Sequence, residues 1–145
     1  MLDSAGPFRP RLDDIIAAHL ALEGPLLPIL HAVQAEWGYV PEAAHGVIAQ
    51  ALNVTRAEVY GVVTFYHDFR AAPPPAHVVK VCRAEACQAQ GGRALEAGLA
   101  ALAGPDVAVE AIYCLGLCAC GPAVMVDGVL IGRATVAAVA AKVAS

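Results

Sequence analysis

Four of this chain's five cysteines fall into two spaced pairs, Cys82-x4-Cys87 and Cys114-x3-Cys118. Thiolates grouped in this way bind soft metal ions. Four of them would hold zinc tetrahedrally, but structural zinc usually takes tighter C-x2-C knuckles. A 2Fe-2S cluster contains two irons and asks for two thiolates on each, so two separated pairs on two loops match its demand better. The surroundings agree, because Cys114-Leu-Gly-Leu-Cys118-Ala-Cys120-Gly-Pro is apolar and holds two glycines. Glycines let backbone N–H groups approach sulfurs that would otherwise be buried acceptors without donors. Cys120 is the odd thiol, and it reads as a small inert hydrophobe or, alternatively, as a ligand that exchanges with Cys118. A thiol switch at Cys118-x-Cys120 is a weaker reading, since dithiol oxidoreductases use C-x-x-C at a helix N-terminus.

Little else in the chain offers chemistry. His19, His31, His45, His67 and His77 lack metal-ligand spacing and read as structural or surface residues, with His67 in a stretch that is placed to face a partner. There is no G-x-G-x-x-G, no phosphate-binding loop and no serine nucleophile elbow. Gly91-Gly92 reads as a flexible helix start. Arg83 and Lys80 either offset the negative charge of a cluster or are ordinary solvated cations. The chain therefore lacks its own apparatus for binding NAD, flavin or formate, and a cluster alone stores and passes one electron.

The elements that must position these thiols come from a chain of 145 residues, 59% hydrophobic and 15% charged. That suffices for one compact domain or two very small ones. The apolar excess comes largely from 32 alanines, and no run approaches the roughly 18 apolar residues of a membrane span. A net charge of −4, with nine scattered basic residues and no basic stripe, argues against binding to a nucleic-acid backbone. The first fourteen residues carry Asp3, Arg9, Arg11, Asp13 and Asp14 with no apolar core, which is wrong for a secretory leader and points to the cytoplasm. In that reducing compartment cysteines serve metals or redox chemistry rather than disulfides.

Residues 1–70 read as a helical N-terminal subdomain. Ala44, Val47, Ile48, Ala51 and Leu52 mark one apolar helix face. Ile29, Leu30, Val33 and Trp37 mark another that Gly38 ends, with Pro41 in the first turn of the next helix. Ile15, Ile16, His19 and Leu20 suggest an earlier helix, while Thr55 and Glu58 form a capping box for a fourth. Tyr66 and Phe69 are expected in the core. Residues 71–76, Ala-Ala-Pro-Pro-Pro-Ala, form an extended connector.

Residues 77–145 change period. Strands are expected over 77–81 and 107–113 with a helix over 93–103 between them, then a hairpin closed by Asp127-Gly128 and a last helix capped by Thr135. Neighbouring parallel strands end on one edge, so both cysteine pairs project from loops at one end of the sheet. The expected fold is α+β or α/β, an N-terminal helical bundle followed by a small thioredoxin-like sheet with flanking helices.

The two pair spacings differ from the plant-type C-x4-C-x2-C arrangement. Together with a helical N-terminal half they resemble the thioredoxin-like 2Fe-2S subunits of NADH-linked electron-transfer complexes, over nearly the whole chain from residue 11. Gly61-Val-Val-Thr-Phe-Tyr-His-Asp-Phe-Arg70, Cys82-Arg-Ala-Glu-Ala-Cys87 and Tyr113-Cys-Leu-Gly-Leu-Cys-Ala-Cys120 are most similar to the gamma subunit of soluble NAD-dependent formate dehydrogenases. The resemblance implies one 2Fe-2S cluster with Cys82, Cys87, Cys114 and Cys118 as ligands. It also implies a flavin- and NAD-binding beta-type partner and a molybdenum-containing alpha subunit that oxidises formate. The same features suit the equivalent subunit of complex I or of an NAD-linked hydrogenase diaphorase. A zinc-stapled structural adaptor is the alternative of a different class. The helical half is the expected docking surface for the flavin subunit.

Overall fold

The computed structural model describes residues 8–145. Residues 1–7, including the Asp3 used in the leader argument, lie outside the described residues. The chain divides into two compact units, one up to Pro73 and the other Pro74–Ser145.

The first unit contains α1 (Arg9–His19), α2 (Leu26–Trp37), α3 (Glu42–Leu52) and α4 (Arg56–Phe65). Each turns an apolar stripe inward: Leu12, Ile15 and Ile16, then Ile29, Leu30 and Val33, then Ala44, Val47 and Ile48, then Val59 and Val63. Helix ends follow local chemistry. Gly38 adopts φ 80° and donates its N–H to the Gln34 carbonyl, a left-handed cap that suits glycine. The Thr55–Glu58 capping box is formed, with Glu58 N donating to Thr55 Oγ1 at 3.2 Å and Thr55 N to Glu58 Oε2 at 2.8 Å. After α4 the chain is tied back to α2, because Gln34 donates to the Asp68 carbonyl and accepts from Arg70 N.

Three local expectations change. Pro41 is the N-cap of α3 rather than part of its first turn. Ala51 is exposed and Leu52 only half-buried, whereas His45 and Ala49 are buried. α3 ends at Leu52, where the chain turns at Asn53 (φ 54°) toward α4, and Leu52 packs on the edge of the core while Ala51 faces out. Phe69 is buried, but Tyr66 is exposed, since α4 ends at Phe65 and the extended Tyr66 leaves the helical phase.

The second unit is a mixed four-stranded sheet, β1 (His77–Cys82), β2 (Val107–Ile112), β3 (Val124–Val126) and β4 (Val129–Ile131), in the order β2-β1-β3-β4. β1 and β2 pair in parallel from His77 opposite Val107 to Cys82 opposite Ile112. β3 lies antiparallel on the other side of β1 and forms a hairpin with β4. Asp127 (φ 48°) and Gly128 (φ 84°) both have left-handed backbone, as the two-residue turn matched to strand twist requires. Asp127 also accepts from Val78 N at 2.7 Å and meets His77 Nδ1 at 2.8 Å, pinning the hairpin to the start of β1. Val79, Val81, Val124 and Val126 form the sheet side of the core. Leu95 and Leu99 of α6 (Gly92–Leu99) and Val139 of α7 (Val136–Val143) close over it. Thr135 caps α7 through Ala138 N. The helix expected over 93–103 ends at Leu99 and continues as a 3₁₀ turn, and a further short helix, α5 (Glu85–Ala89), occupies the loop between Cys82 and Cys87. The architecture is α+β and thioredoxin-like, as expected. No helix among the described residues is long and apolar enough to cross a membrane.

Candidate metal centre

Parallel pairing of β1 with β2 decides where the thiols go. Cys82 is the last residue of β1 and lies opposite Ile112, the last of β2, so Cys114 follows two residues later at the same sheet edge. Cys87 returns to that edge on α5, and Cys118 opens a 3₁₀ turn, Cys118–Cys120. The sulfurs of Cys114 and Cys118 stand 3.9 Å apart. Cys82 and Cys87 interact through their side chains and share a small buried cluster with Ala123. Among the described residues no three His, Cys, Asp or Glu surround one ion position; the thiols are grouped as pairs.

The two pairs differ in environment. Cys82 and Cys87 are each 2% exposed, whereas Cys114 and Cys118 are exposed. Burial pushes the Cys82 thiol up, but N–H groups of Ala84, Leu115 and Cys114 and the Cys87 thiol outweigh it and bring it below the ordinary value. Burial and the neighbouring Cys82 push Cys87 up, against the Ala123 N–H. Cys114 pushes Cys118 up, with a smaller push from Cys82. Each pair thus resists double ionisation in the free protein, and a cation removes that repulsion. N–H donors directed at sulfur suit a cluster whose sulfurs are acceptors. Gly116 N adds one, 3.4 Å from Cys114 Sγ. Cys114 itself has φ 82° and Gly116 φ 77°. A side chain in that region is strained, and such strain concentrates at functional sites. The donor set, two thiol pairs with backbone N–H groups around them, fits a 2Fe-2S cluster.

Other residues are assigned by contacts. Cys120 is half-buried, with its Sγ and carbonyl packed where a Cβ on Gly132 would lie, 3.0 Å from each, and Arg133 N donates to its carbonyl. Its sulfur is thus engaged at the end of β4. Arg83 pairs with Glu96 of α6 and also interacts with Tyr113, so its charge is locally compensated. Lys80 lies opposite Glu110 in the β1–β2 register. His77 bonds Asp127 and His19 bonds the Ile15 carbonyl, while His45 is buried in the first unit. Sequence reasoning missed Gln90 and the tight packing of Gly92 and Gly121 beside Cys87; the adjacent Gly91-Gly92 was the visible signal.

The model of the family described as "Thioredoxin-like [2Fe-2S] ferredoxin" matches residues 12–145. The chain is 34% identical over 122 residues to the NADP-reducing hydrogenase subunit HndA of Solidesulfovibrio fructosivorans, covering 78% of this chain and 71% of that protein. It is 32% identical over 123 residues to an NADH-quinone oxidoreductase subunit of Mycobacterium bovis, covering 79% of this chain and 49% of the relative. The corresponding Escherichia coli protein is 30% identical over 107 residues, covering 68% of this chain and 64% of the relative. Among solved structures, an NAD+-reducing [NiFe]-hydrogenase in the H2-reduced state superposes with TM-score 0.66 at 22% identity, over 79% of this chain and 21% of that one. That last likeness concerns the fold alone. The chain spans about half the length of the mycobacterial relative and about a fifth of the hydrogenase chain.

Proposed function

The chain belongs to the thioredoxin-like [2Fe-2S] ferredoxin family and carries that family's one 2Fe-2S cluster, and from this premise we propose that it is the electron-transfer subunit of an NAD-linked multisubunit oxidoreductase. Cys82, Cys87, Cys114 and Cys118 are the ligands in this reading. The observation that carries it is the gathering of both thiol pairs at one edge of the sheet by the β1–β2 register. When bound, the cluster supplies one-electron storage and transfer.

The chain's own groups set the conditions for that chemistry. The Cys82–Cys87 side is shielded from water, and the Cys114–Cys118 side is open to a partner. N–H groups of Ala84, Leu115, Cys114 and Ala123 act on the sulfurs of Cys82 and Cys87 and stabilise negative charge there. The partner is a flavin- and NAD-binding subunit. Its docking surface is the helical unit, where Phe65 and Tyr66 are 73% and 44% exposed and their rings meet edge to face at 5.1 Å; exposed apolar patches mark interaction sites. At a finer level the assembly is a cytoplasmic NAD-dependent formate dehydrogenase with this chain as gamma subunit and a molybdenum-containing alpha subunit. That assignment rests on the sequences 61–70, 82–87 and 113–120, whereas the relatives named above are hydrogenase and NADH-quinone oxidoreductase subunits.

The full chain, purified without oxygen, is expected to contain two irons and two acid-labile sulfides and to give an electron paramagnetic resonance signal on reduction. Serine at any of Cys82, Cys87, Cys114 or Cys118 should remove or alter that signal, and Cys120→Ala should leave it intact. One zinc without sulfide would refute the reading in favour of a structural adaptor. Affinity purification of the tagged chain from its native host, with formate, hydrogen and NADH tried as electron donors, separates formate dehydrogenase from hydrogenase and quinone-linked assemblies.

A further inference from the structure

We infer that Gln90 is a positioning residue for the metal centre, tying the Cys82–Cys87 turn to the Cys114–Cys118 loop through one side-chain amide. The inference rests on the ligand assignment proposed above. Gln90 is the C-cap of α5, and its backbone N–H donates to the Cys87 carbonyl at 3.2 Å. Its Nε2 donates to the Ala86 carbonyl and to the Cys118 carbonyl, each at 2.9 Å. An amide nitrogen has two donors, and here one serves each ligand loop. The sheet register aligns the two loops only as far as Cys82 and Ile112. Past the strand ends, this side chain spans 28 residues of sequence and grips the backbone of a ligand residue directly.

Gly121 supplies an independent sign of the same contact. A Cβ there would lie 2.9 Å from Gln90 Nε2 and 3.1 Å from its Cδ. Gly121 has φ −69° and ψ 167°, ordinary extended backbone that any residue adopts. A methyl group there would therefore displace the Gln90 amide, the far end of a flexible side chain, from its place between the two loops.

The test compares iron release to a chelator from the full chain, loaded and handled without oxygen, in the parent, Gln90→Ala, Gln90→Glu and Gly121→Ala. Glutamate fills the same volume but presents an ionised acceptor to two carbonyl acceptors, so it separates hydrogen bonding from packing. Loss of two solvent-exposed neutral hydrogen bonds should speed release about three- to tenfold in Gln90→Ala, and at least as much in Gln90→Glu. The reduced spectrum of both should shift or broaden as the Cys118 ligand loosens. Gly121→Ala should speed release alone but add nothing in combination with Gln90→Ala. Release from Gln90→Glu within about twofold of the parent, with an unchanged spectrum, would overturn the inference while leaving the cluster assignment standing. A parent chain loaded with one zinc and no sulfide would overturn both.

Discussion

Replacing Gly92 by alanine puts a methyl group where there is room for none. A Cβ on Gly92 falls 2.7 Å from the Cys87 carbonyl oxygen, 3.0 Å from its carbonyl carbon and 3.6 Å from the Cys82 carbonyl oxygen. All three are backbone atoms, so no side-chain rotation relieves the contact, and either α6 or the turn carrying Cys87 must shift. Two effects favour the alanine. Its helix propensity is better by up to about 1 kcal/mol, less at the first helical position, and burial of a methyl contributes about 0.8 kcal/mol. Overpacking opposes them at about 1–3 kcal/mol, and contact with rigid backbone places this site at the upper end. The net expectation is destabilisation by about 1 kcal/mol. Gly46 in α3 and Gly61 in α4 supply the contrast: both are exposed, and a methyl group on either would meet nothing within 4 Å. There the same substitution should stabilise by about 0.5–1 kcal/mol. Urea denaturation of the loaded full chain reads both effects, with cluster absorbance following the second unit and the fluorescence of Trp37, the only tryptophan, following the first. Gly92→Ala should lower the absorbance midpoint by about 0.5–1 M and hasten iron loss, while Gly46→Ala raises the Trp37 midpoint. An unchanged or raised absorbance midpoint in Gly92→Ala would refute the claim that close approach of α6 holds the Cys87 backbone in place.

His45 is buried, and neither ring nitrogen meets a partner among the described residues. Burial, then Arg56, pushes its imidazole below 6.5 against the weaker pull of Glu42. The unfolded chain thus binds that proton more readily, so stability is full above 6.5 and falls as pH drops through the unfolded value toward the folded one. His45→Leu should raise the Trp37 midpoint by the equivalent of about 1 kcal/mol and flatten this decline; an unchanged slope between about pH 5 and 7 would contradict it. For Asp127, the His77 contact and then the Val78 N–H hold the carboxyl below 3.8. Its contribution is present above 3.8 and is lost as pH falls through the lower folded value. Asp127→Asn tolerates the left-handed backbone but loses the charge, and solvent screening keeps the cost at neutral pH below about 1 kcal/mol. Midpoints measured from about pH 3 to 6 should then show a shallower acid limb, and an unaltered limb would refute the assignment.

The elements legible in the sequence were those whose signal repeats within themselves. Alternating side chains from Val107 onward announced β2, the Asp127-Gly128 turn announced the hairpin of β3 and β4, and that turn and the capping box at Thr55 are local chemistry that needs no tertiary partner. From these, the convergence of the cysteine pairs followed by one inference, that strands on either side of a crossover helix run parallel. What escaped were features with no period of their own. α5 has five residues, too few to display a helical repeat, and Ala51 shares the apolar repeat of Ala44 and Ile48 yet is exposed, because a helical period marks a face and not how far along the helix that face is covered.

The same distinction separates the ligands from the groups that hold them. Cysteine spacing is visible in a string of letters, because a metal demands several side chains of one kind close together. The support for those cysteines is made of backbone carbonyls of residues 82, 86, 87 and 118 meeting the bare Cα of Gly92 and the amide of Gln90. Carbonyls are the same in every residue, so no pattern of residue types marks which of them a helix will approach. The absence of a side chain is the only trace such a contact leaves, and it is ambiguous: Gly91 needs its left-handed backbone (φ 92°), while Gly92 beside it needs space. Two adjacent glycines that read alike as a flexible helix start thus carry different constraints, one conformational and one steric, and alanine substitution separates them because only the second presses on a cysteine that binds the cluster in the reading proposed above.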